Sequence, residues 1–539
     1  MHYLCRMNTR RETYLPGAAT MLFIALALLF LPWLGEILFN SKGEPREAIV
    51  AVSILRSGDW ILPTNYGGDI PFKPPFLAWL IAGLATVLNG GVVNEYISRL
   101  PSAIAVIAMV MGGYAWASRE RGVRFGLIFA FVTATCVEVF RAGIACRLDM
   151  VLTACMVGAM YILYPIGDER TRHRGLRWLA AWVLLSCAVL TKGPVGSLLP
   201  CFVVGVYRLL RGDRFFPTLG KMLGLAIAAL ALPAWWFYEA ANRGGQHFVD
   251  LMYEENLGRL FGTMSYDSHV KPVWYNFATL AAGTLPWIIA ALFAVFSWRK
   301  WHRSPLRPAG LFSFVAVVLI VGFYCIPESK RSVYLLPAYP FIAYALASII
   351  DSDAARRPMR VYAWFISIVA IIAPLAFVGL QLYPVEPVPA FEASPWWAYA
   401  ILAIPAICGI AWIINRHSPV GHMLVTVWAL MLAYAASVAP AVLNRQSDFK
   451  VVERLTDGNP TVLSLDYTGT HRLYTLNFYL DDRIRTTPSL EEASNYPSGT
   501  IVLISEHADT TGLWRNFTFE PLLDRSCDHR DKLGIAIRK

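Results

Sequence analysis

Charged side chains gather in four short polar stretches that lie next to long apolar segments of this sequence. The members of these stretches are Glu44, Arg46 and Lys73 in the first; Arg147 and Asp149 in the second; Glu254, Glu255, Arg259, His269 and Lys271 in the third; and Lys330, Arg331 and Tyr334 in the fourth. A carboxylate can take the proton from an acceptor hydroxyl. Lysine and arginine can hold a phosphate and stabilise it as a leaving group. These residue types therefore suit the transfer of a group from a phosphate-linked donor to a hydroxyl.

The elements that must position these residues are membrane helices. The chain has 539 residues, of which 56% are hydrophobic and only 16% are charged, whereas about 25% charge is usual in a soluble protein. Its mean hydropathy is +0.48. Thr20–Phe39, Thr218–Tyr238 and Val361–Tyr383 each approach or exceed the roughly 20 residues that span a bilayer. The net charge of +10 is scattered over short loops, so we expect membrane lipids, and not nucleic acid, among the partners.

The apolar runs predict an all-α polytopic membrane domain, residues 1–442, with about 13 transmembrane helices. Short Arg-rich loops sort to the cytoplasmic side, and here they all fall on the side of the N-terminus. Leu77–Leu88, in the first outer loop 40–100, is short for a span and is predicted to be an interfacial helix. The predicted spans are about 18–39, 101–118, 125–143, 150–166, 178–190, 194–210, 218–238, 273–298, 309–326, 333–350, 361–383, 396–415 and 421–442.

From about Leu443 the composition becomes polar and mixed. Residues 443–539 predict a small soluble α/β domain on the outer, periplasmic side. This segment has no Gly-rich turn of the kind that binds nucleotides between a strand and a helix, which fits a donor carried by a lipid. Its predicted strands are Thr461–Leu465, Thr500–Ser505 and Gly534–Arg538, and its predicted helices are Asp448–Leu455 and Pro488–Ser494.

Structural interpretations of the charged residues compete with the functional ones. Pro45 predicts the start of a short helix that runs to Arg56. Glu44 could be the N-cap of this helix, with Glu47 completing a capping arrangement. Glutamate is a poor N-cap, however, since Ser, Thr, Asp and Asn are the usual choices. Glu44 could therefore have either a functional role or a capping role.

The other candidates have similar alternatives. Arg46 and Lys73 could extend from the membrane edge toward the headgroups. Arg147 and Asp149 could form an ion pair at a helix end, where an aspartate also suits the helix dipole. Tyr334 could belong to the aromatic belt of the membrane interface.

Several motifs resemble those of a known family. The run Gly-Glu-Pro-Arg-Glu-Ala…Ser-Gly-Asp-Trp…Phe-Lys-Pro-Pro-Phe-Leu-Ala-Trp is similar to the first periplasmic loop of the bacterial aminoarabinose transferases. These belong with the protein O-mannosyltransferase-like glycosyltransferases of GT-C fold. The resemblance covers about residues 18–442 and implies the same fold. The further motifs, in family order, are Cys146-Arg147-Leu148-Asp149-Met150, Leu190-Thr191-Lys192-Gly193-Pro194 and Ser329-Lys330-Arg331…Tyr334-Leu335-Leu336-Pro337.

The resemblance implies roles for the residues at matching positions. Asp149 or Glu44 would be the catalytic base. Lys73, Arg46 and Tyr334 would bind the lipid phosphate. Further candidates for phosphate binding are Lys330 and Arg259.

Two positions depart from the family pattern. The family often has an aspartate where this chain has Gly43, and a glutamate where it has Phe72. The family glutamate is associated with a divalent metal that a loop histidine also holds. His269 is the candidate metal ligand here, and it could equally be an ordinary loop histidine.

The sequence thus predicts a multi-pass enzyme of the bacterial inner membrane with its N-terminus in the cytoplasm. We expect it to move a sugar from a polyprenyl-phosphate donor to a periplasmic acceptor, which is lipid A, a glycan or a protein; the resemblance implies inversion at the anomeric carbon. The alternative is a lipid or glycolipid transporter or flippase, which would place charges at mid-membrane and use broken helices. A structural assembly subunit is a third possibility. The charges gather at the outer membrane edge, which favours the enzyme.

Overall fold

Helices dominate the structure, and a small sheet lies near its C-terminal end. The predicted all-α membrane domain followed by a small α/β unit is thereby confirmed. The computed structural model describes residues 16–41, 43–65, 68–71, 73–165, 173–254, 270–295, 307–384, 394–416, 418–444, 451–465, 473–505, 515–523 and 532–539.

The helices follow one another along the chain with short connections. Up to residue 253 they are α1 (Pro16–Phe30), α2 (Gly43–Ser57), α3 (Phe76–Leu88), α4 (Glu95–Arg121), α5 (Val123–Ala134), α6 (Val137–Gly143), α7 (Leu148–Leu163), α8 (Arg174–Lys192), α9 (Val195–Leu210), α10 (Phe215–Ala228) and α11 (Ala231–Tyr253). After residue 273 they are α12 (Trp274–Gly283), α13 (Trp287–Val295), α14 (Pro308–Cys325), a 3₁₀-helix (Ser332–Ala338), α15 (Tyr339–Ile350), a second 3₁₀-helix (Asp353–Ala355), α16 (Arg356–Leu382), α17 (Trp396–Ile414), α18 (Pro419–Ala433), a π-helix (Tyr434–Val438), α19 (Ala439–Leu443) and α20 (Val452–Thr456).

Fewer helices than the sequence predicted are long and apolar enough to span a membrane. Among the described residues, eight helices are long and apolar enough to cross a membrane, or up to ten if two bent pairs each count as one span. Helices α1, α7 and α9 lie at the remaining predicted positions, but they have only 15, 16 and 16 residues. Since about 20 residues are needed to span a bilayer, these three do not support the predicted count of about 13. Helix α3 coincides with the predicted interfacial helix.

Two helix pairs are sharply bent, and their breaks lie against each other. Helices α5 and α6 meet at 70°, and α12 and α13 meet at 99°. The Val137 N–H donates to the Leu285 carbonyl over 3.0 Å, and the Trp287 indole N–H donates to the Thr135 hydroxyl over 2.9 Å. Backbone groups freed by a break at membrane depth need partners inside the protein. Each break therefore supplies partners for the other.

The C-terminal unit contains a five-stranded sheet in the order β2–β1–β3–β5–β4. Strand β1 runs parallel to β2 and β3, whereas β5 runs antiparallel to β3 and β4. The sequence analysis missed β2, which has three residues, and β4, which contains Pro521 and a register shift. The strands and remaining helices are β1 (Val462–Leu465), α21 (Tyr474–Tyr479), β2 (Arg485–Thr487), α22 (Leu490–Ala493), β3 (Ile501–Ser505), β4 (Phe517–Leu523) and β5 (Leu533–Arg538).

This unit contacts the membrane domain where α2 and α4 begin. The Tyr479 hydroxyl donates to the Glu95 carboxylate over 2.7 Å and accepts the Phe39 N–H over 2.9 Å. The Phe478 ring packs edge-on against the Phe39 ring, with 4.7 Å between the centroids. Arg56, at the end of α2, donates to the carbonyl of Asp481 just after α21. The domain boundary at residues 442 and 443 stays a prediction.

The Tyr479 contact generates a first testable prediction. In Tyr479→Phe the Phe39 N–H loses its acceptor, and hydrogen bonds of this kind contribute about 0.5–1.5 kcal/mol, or more to a charged group. We expect the Phe39 amide to exchange with deuterium roughly threefold to tenfold faster, measured by hydrogen exchange and mass spectrometry. Tyr399→Phe, which lies on a partly exposed face of α17, is the control. Equal exchange in the two variants would contradict the contact.

Candidate active site

A buried ion pair between Glu44 and Arg99 joins the starts of helices α2 and α4. Glu44 lies in the first turn of α2, and Arg99 lies in the second turn of α4. The Arg99 side chain is only 2% exposed, and its Nε and Nη2 atoms donate to the two oxygens of Glu44 over 2.9 and 3.2 Å. Two parallel bonds of this kind are the strong geometry for an arginine and a carboxylate.

The ion pair also fixes two neighbouring backbone segments. The Arg99 Nη1 atom donates to the carbonyls of Leu34 and Ile37, which lie between α1 and α2. The Glu44 carboxylate accepts the N–H of Cys146 over 2.9 Å. One pair of side chains thus joins the starts of α2 and α4 to the segment that leads into α7.

These contacts decide between the interpretations of Glu44. Its carboxylate contacts Arg99 and Cys146 rather than completing the capping arrangement with Glu47 that the sequence left open. Burial raises the pKa of Glu44, but the charge and hydrogen bonds of Arg99, the Cys146 N–H and the charge of Arg147 outweigh burial, so the pKa lies below its ordinary value. A charged carboxylate that is held by three donors is a positioning group and is poorly placed to accept a proton.

Asp149 forms the second centre, together with Lys192 and Tyr334. Asp149 lies in the first turn of α7, Lys192 is the last residue of α8, and Tyr334 lies in the first 3₁₀-helix. The Lys192 ammonium is 2.5 Å from an Asp149 oxygen and 4.1 Å from the centre of the Tyr334 ring. Three elements that are distant in sequence therefore place a carboxylate, a cation and an aromatic ring together.

Further positive charge surrounds Asp149. Besides Lys192, both Arg147 and Arg331 are close enough to act electrostatically on this carboxylate. The ion pair between Arg147 and Asp149 that the sequence left open is absent from the described contacts, because Asp149 pairs with Lys192 instead. Three cations around one carboxylate leave a positive local field that attracts an anion.

The structure places the other candidate residues in different ways. Arg46 pairs with the adjacent Glu47 over 2.8 Å and is one-third exposed. Lys73 is partly buried in the segment that leads into α3. The buried ammonium of Lys330 donates to the Pro327 carbonyl over 2.6 Å and to that of Glu328 over 3.5 Å. Lys330 thus supports the turn before the 3₁₀-helix, which argues against phosphate binding by this residue.

The predicted metal ligand and one phosphate ligand cannot be placed. Arg259 and His269 lie outside the described residues. In the described part of the chain, no group of three His, Cys, Asp or Glu side chains is arranged to hold a metal ion.

Comparisons with known proteins find relatives that are similar in sequence. Residues 72–238 match the family model described as dolichyl-phosphate-mannose-protein mannosyltransferase. An undecaprenyl phosphate-alpha-4-amino-4-deoxy-L-arabinose arabinosyl transferase from Aeromonas salmonicida is 26% identical over 78% of this chain and 76% of its own. The transferase of the same name from Pseudomonas aeruginosa is 24% identical over 83% of this chain and 80% of its own.

The fold agrees with these sequence matches. The crystal structure of ArnT from Cupriavidus metallidurans bound to undecaprenyl phosphate superposes with a TM-score of 0.75 at 19% identity, covering 96% of this chain and 97% of the other. The chain thus resembles the aminoarabinose transferases in sequence and has the GT-C fold of a membrane glycosyltransferase. The predicted fold, enzyme class and multi-pass membrane character are thereby confirmed. The transporter alternative finds no support in these comparisons.

Sequence reasoning missed two residues of this glycosyltransferase. Arg99 was not predicted as a site residue, although a charged residue next to a long apolar run often has a buried partner or a functional role. Lys192 lies in the Leu-Thr-Lys-Gly-Pro motif, but the sequence did not predict it as a site residue. Gly193 ends α8 with a φ of 90°, a conformation that favours glycine, and this sharp end helps to explain the motif.

The Ser-Gly-Asp-Trp motif of the glycosyltransferase holds the first outer loop in place. Asp59 accepts the N–H groups of Ile61 and Leu62 and pairs with Arg243 of α11 over 2.8 Å. The Ile61 carbonyl in turn accepts the indole N–H of Trp236 over 2.8 Å. These contacts join the loop to α11.

The buried ion pair generates a stability prediction. In Arg99→Ala the Glu44 charge stays buried without its partner, and breaking such a pair typically costs about 3–5 kcal/mol. We expect a loss of this size in the free energy of unfolding of the purified protein in detergent. The double variant Arg99→Ala with Glu44→Gln should recover part of the loss, since it removes the unpaired charge.

The control for this experiment is an exposed pair. Arg356 and Asp353 form an ion pair whose side chains are 81% and 88% exposed. Arg356→Ala should change stability by less than about 1 kcal/mol. Similar losses for Arg99→Ala and Arg356→Ala would show that the buried pair has no special role.

Asp59 generates a prediction about pH. Partial burial raises its pKa, but the Leu62 and Ile61 N–H groups and Arg243 outweigh burial, so the folded-state pKa lies below the ordinary 3.8. A lowered pKa stabilises the folded state above the unfolded value, and the stabilisation is lost as pH falls through the folded value. Between pH 6 and pH 3 the melting temperature of Asp59→Asn should therefore fall less than that of the wild type. Parallel curves would count against this role of Asp59.

Proposed function

We propose that the chain transfers a sugar from a polyprenyl-phosphate donor to a hydroxyl of an acceptor at the outer face of the bacterial inner membrane. The observation that carries the proposal is the Asp149–Lys192–Tyr334 centre, with Arg147 and Arg331 acting on the same carboxylate. A single carboxylate within a positive field supplies a base and a phosphate-binding environment together. The donor class is supported by the names of the transferase relatives and by the undecaprenyl phosphate in the ArnT crystal structure.

Asp149 is the proposed base. Its oxygen takes the proton of the acceptor hydroxyl as that oxygen forms a bond to the anomeric carbon of the sugar. The bond between the anomeric carbon and the phosphate oxygen breaks, and its electron pair leaves with the polyprenyl phosphate. Glu44 is less suited to this step, since its oxygens already accept bonds from Arg99 and Cys146.

Lys192 has a place in both halves of this reaction. Before the donor binds, its ammonium neutralises Asp149 over 2.5 Å. A donor phosphate that enters the positive field competes for this ammonium, which frees the carboxylate to accept a proton. The other proposed ligands of the phosphate are Lys73, Arg46, Tyr334 and Arg259. The ring of Tyr334 already contacts the Lys192 ammonium.

The remaining parts of the proposal concern orientation, acceptor and metal. We place the N-terminus in the cytoplasm and the C-terminal sheet in the periplasm, because the Arg-rich short loops share the side of the N-terminus. The acceptor is a lipid, a glycan or a protein. His269 is a proposed ligand of a divalent metal. The proposed reaction does not require this metal, because Phe72 stands where the family often has a glutamate ligand.

Transfer of labelled sugar tests this proposal. Full-length protein is reconstituted with a labelled polyprenyl-phosphate sugar and bacterial envelope lipids. Asp149→Asn keeps the shape of the side chain but not its basicity, and loss of a general base costs roughly 10²–10⁴-fold in rate. We expect this variant to lose transfer by that factor, while Glu44→Gln retains measurable transfer.

Arg356→Gln, on an exposed ion pair far along the chain, is the control and should transfer at the wild-type rate. The proposal fails if Asp149→Asn transfers normally. It also fails if the wild type moves intact donor lipid across the bilayer and transfers no sugar.

A further inference from the structure

A cavity of about 480 Å³ lies beside the Glu44–Arg99 ion pair, and Arg147 is among its lining residues. This volume is within the roughly 300–1,000 Å³ that is typical of ligand sites. One wall is polar and includes Asn40, Ser41, Glu44, Arg99, Arg141 and Arg147. Asp149, Lys192 and Tyr334 are not among the lining residues, so the cavity does not contain the proposed transfer centre and adjoins it at Arg147.

The polar wall carries excess positive charge. Three arginines and one glutamate line it. Arg99 is matched by Glu44, and Arg141 is matched by Glu138 over 2.7 Å just outside the lining. Among the described residues, the guanidinium of Arg147 makes no hydrogen bond or ion pair. Arg147 is therefore the cation of this wall that remains available to a ligand.

Gly43 makes the position of Arg147 possible. A Cβ atom at Gly43 would lie 2.7 Å from Arg147 Nη2, which is closer than non-bonded atoms approach. The guanidinium thus lies against the first residue of α2, a helix of 15 residues whose N-terminus is itself electropositive. Glu44 and Asp149 act on this guanidinium electrostatically, but among the described residues no carboxylate forms an ion pair with it, so it can still pair directly with the anionic group of a ligand.

The rest of the lining is apolar. It is formed by the end of α18, the π-helix and α19, with the bent helix α6 beside them. The apolar lining residues are Ile37, Val137, Phe140, Ile144, Ala145, Leu430, Met431, Tyr434, Ala439 and Leu443. Such π-helical turns occur frequently at functional sites. A ligand that fills the cavity must therefore combine an anionic group with an apolar chain.

We propose that this cavity binds the phosphate end of an anionic lipid, with Arg147 as its main charged contact and the wall from Leu430 to Leu443 along its chain. The site is additional to the phosphate position at Lys192 and Tyr334. The shared chemistry is a phosphate ester on an apolar chain, and its source is either the polyprenyl carrier or a diacyl lipid of the envelope. The inference rests on the cavity and Arg147 and does not require the transfer reaction.

Equilibrium binding of farnesyl phosphate to the full-length protein in phosphatidylcholine nanodiscs tests the inference. We expect two equivalents to bind per chain. Arg147→Gln should weaken the cavity equivalent tenfold or more, because it removes a charged hydrogen bond. Met431→Trp should eliminate that equivalent by filling the cavity, and Lys192→Gln should weaken the other one. Farnesol, which lacks the phosphate, should bind at least tenfold more weakly than farnesyl phosphate.

Matched controls separate local effects from general ones. Ile407→Trp adds the same bulk on an exposed face of α17, and Arg356→Gln removes an exposed charge; both should leave the two equivalents unchanged. If the cavity equivalent takes farnesyl phosphate, the polyprenyl carrier is its source. If the cavity takes only dioctanoyl phosphatidic acid, and loses it in Met431→Trp, an envelope lipid is the source.

Three results would overturn the inference. The first is that Met431→Trp affects the binding of neither farnesyl phosphate nor dioctanoyl phosphatidic acid. The second is a cavity equivalent that Arg147→Gln leaves within twofold. The third, where the cavity takes farnesyl phosphate, is equal affinity for farnesol and farnesyl phosphate. Absence of sugar transfer with both equivalents intact would instead contradict the proposed function alone.

Discussion

The arrangement of helices around the candidate active site depends on one buried charge pair, Glu44 and Arg99. Arg99 is almost completely removed from solvent, and an isolated ion in that position would cost several kcal/mol. Its guanidinium is tolerated because Glu44 and two backbone carbonyls accept its donors. Because the buried guanidinium must keep these acceptors, it also fixes the positions of Glu44 and of the two carbonyl groups. The pair therefore sets the relative positions of α2, α4 and the segments on either side.

The effects of this pair reach both the candidate base and the C-terminal sheet. Glu44 accepts the N–H of Cys146, three residues before Asp149. Glu95, one turn before Arg99 in α4, accepts the Tyr479 hydroxyl of the C-terminal unit. A series of contacts, continued through one turn of α4, thus runs from the C-terminal unit to the start of α7. The side-chain hydrogen bonds in this series all involve a charged group, and bonds of this class contribute about 1.5–3 kcal/mol.

The absence of a carboxylate at position 43 has a structural consequence in this chain. A glycine there lets the Arg147 guanidinium lie against the start of α2. The region therefore gains a cation where the resemblance led us to expect an anion. Asp149 remains as a carboxylate within a field set by Lys192, Arg147 and Arg331. This arrangement favours a single proton acceptor and strong attraction for phosphate, which is consistent with the proposed transfer and with a second anionic-lipid site.

The sequence alone determined the class of protein and the local elements. Apolar runs indicated membrane helices because a bilayer demands about 20 apolar residues per span, and the motifs around Glu44, Asp149 and Tyr334 indicated the family. Strands of alternating or β-branched residues were found, whereas the short β2 and the Pro-containing β4 were missed. Span counting was less accurate, since α1, α7 and α9 are shorter than their apolar runs.

Only the tertiary structure decided which charged residues work together. Glu44 and Arg99 are 55 positions apart, and Asp149 and Lys192 are 43 positions apart, so no local pattern could pair them. Sequence proximity left an Arg147–Asp149 pair open, but helix packing brought Lys192 to Asp149 and left Arg147 facing a cavity. The type of each residue thus determined the charge and the hydrogen bonds that its side chain can supply. The partner that each one meets, and therefore its role, follows from long-range packing.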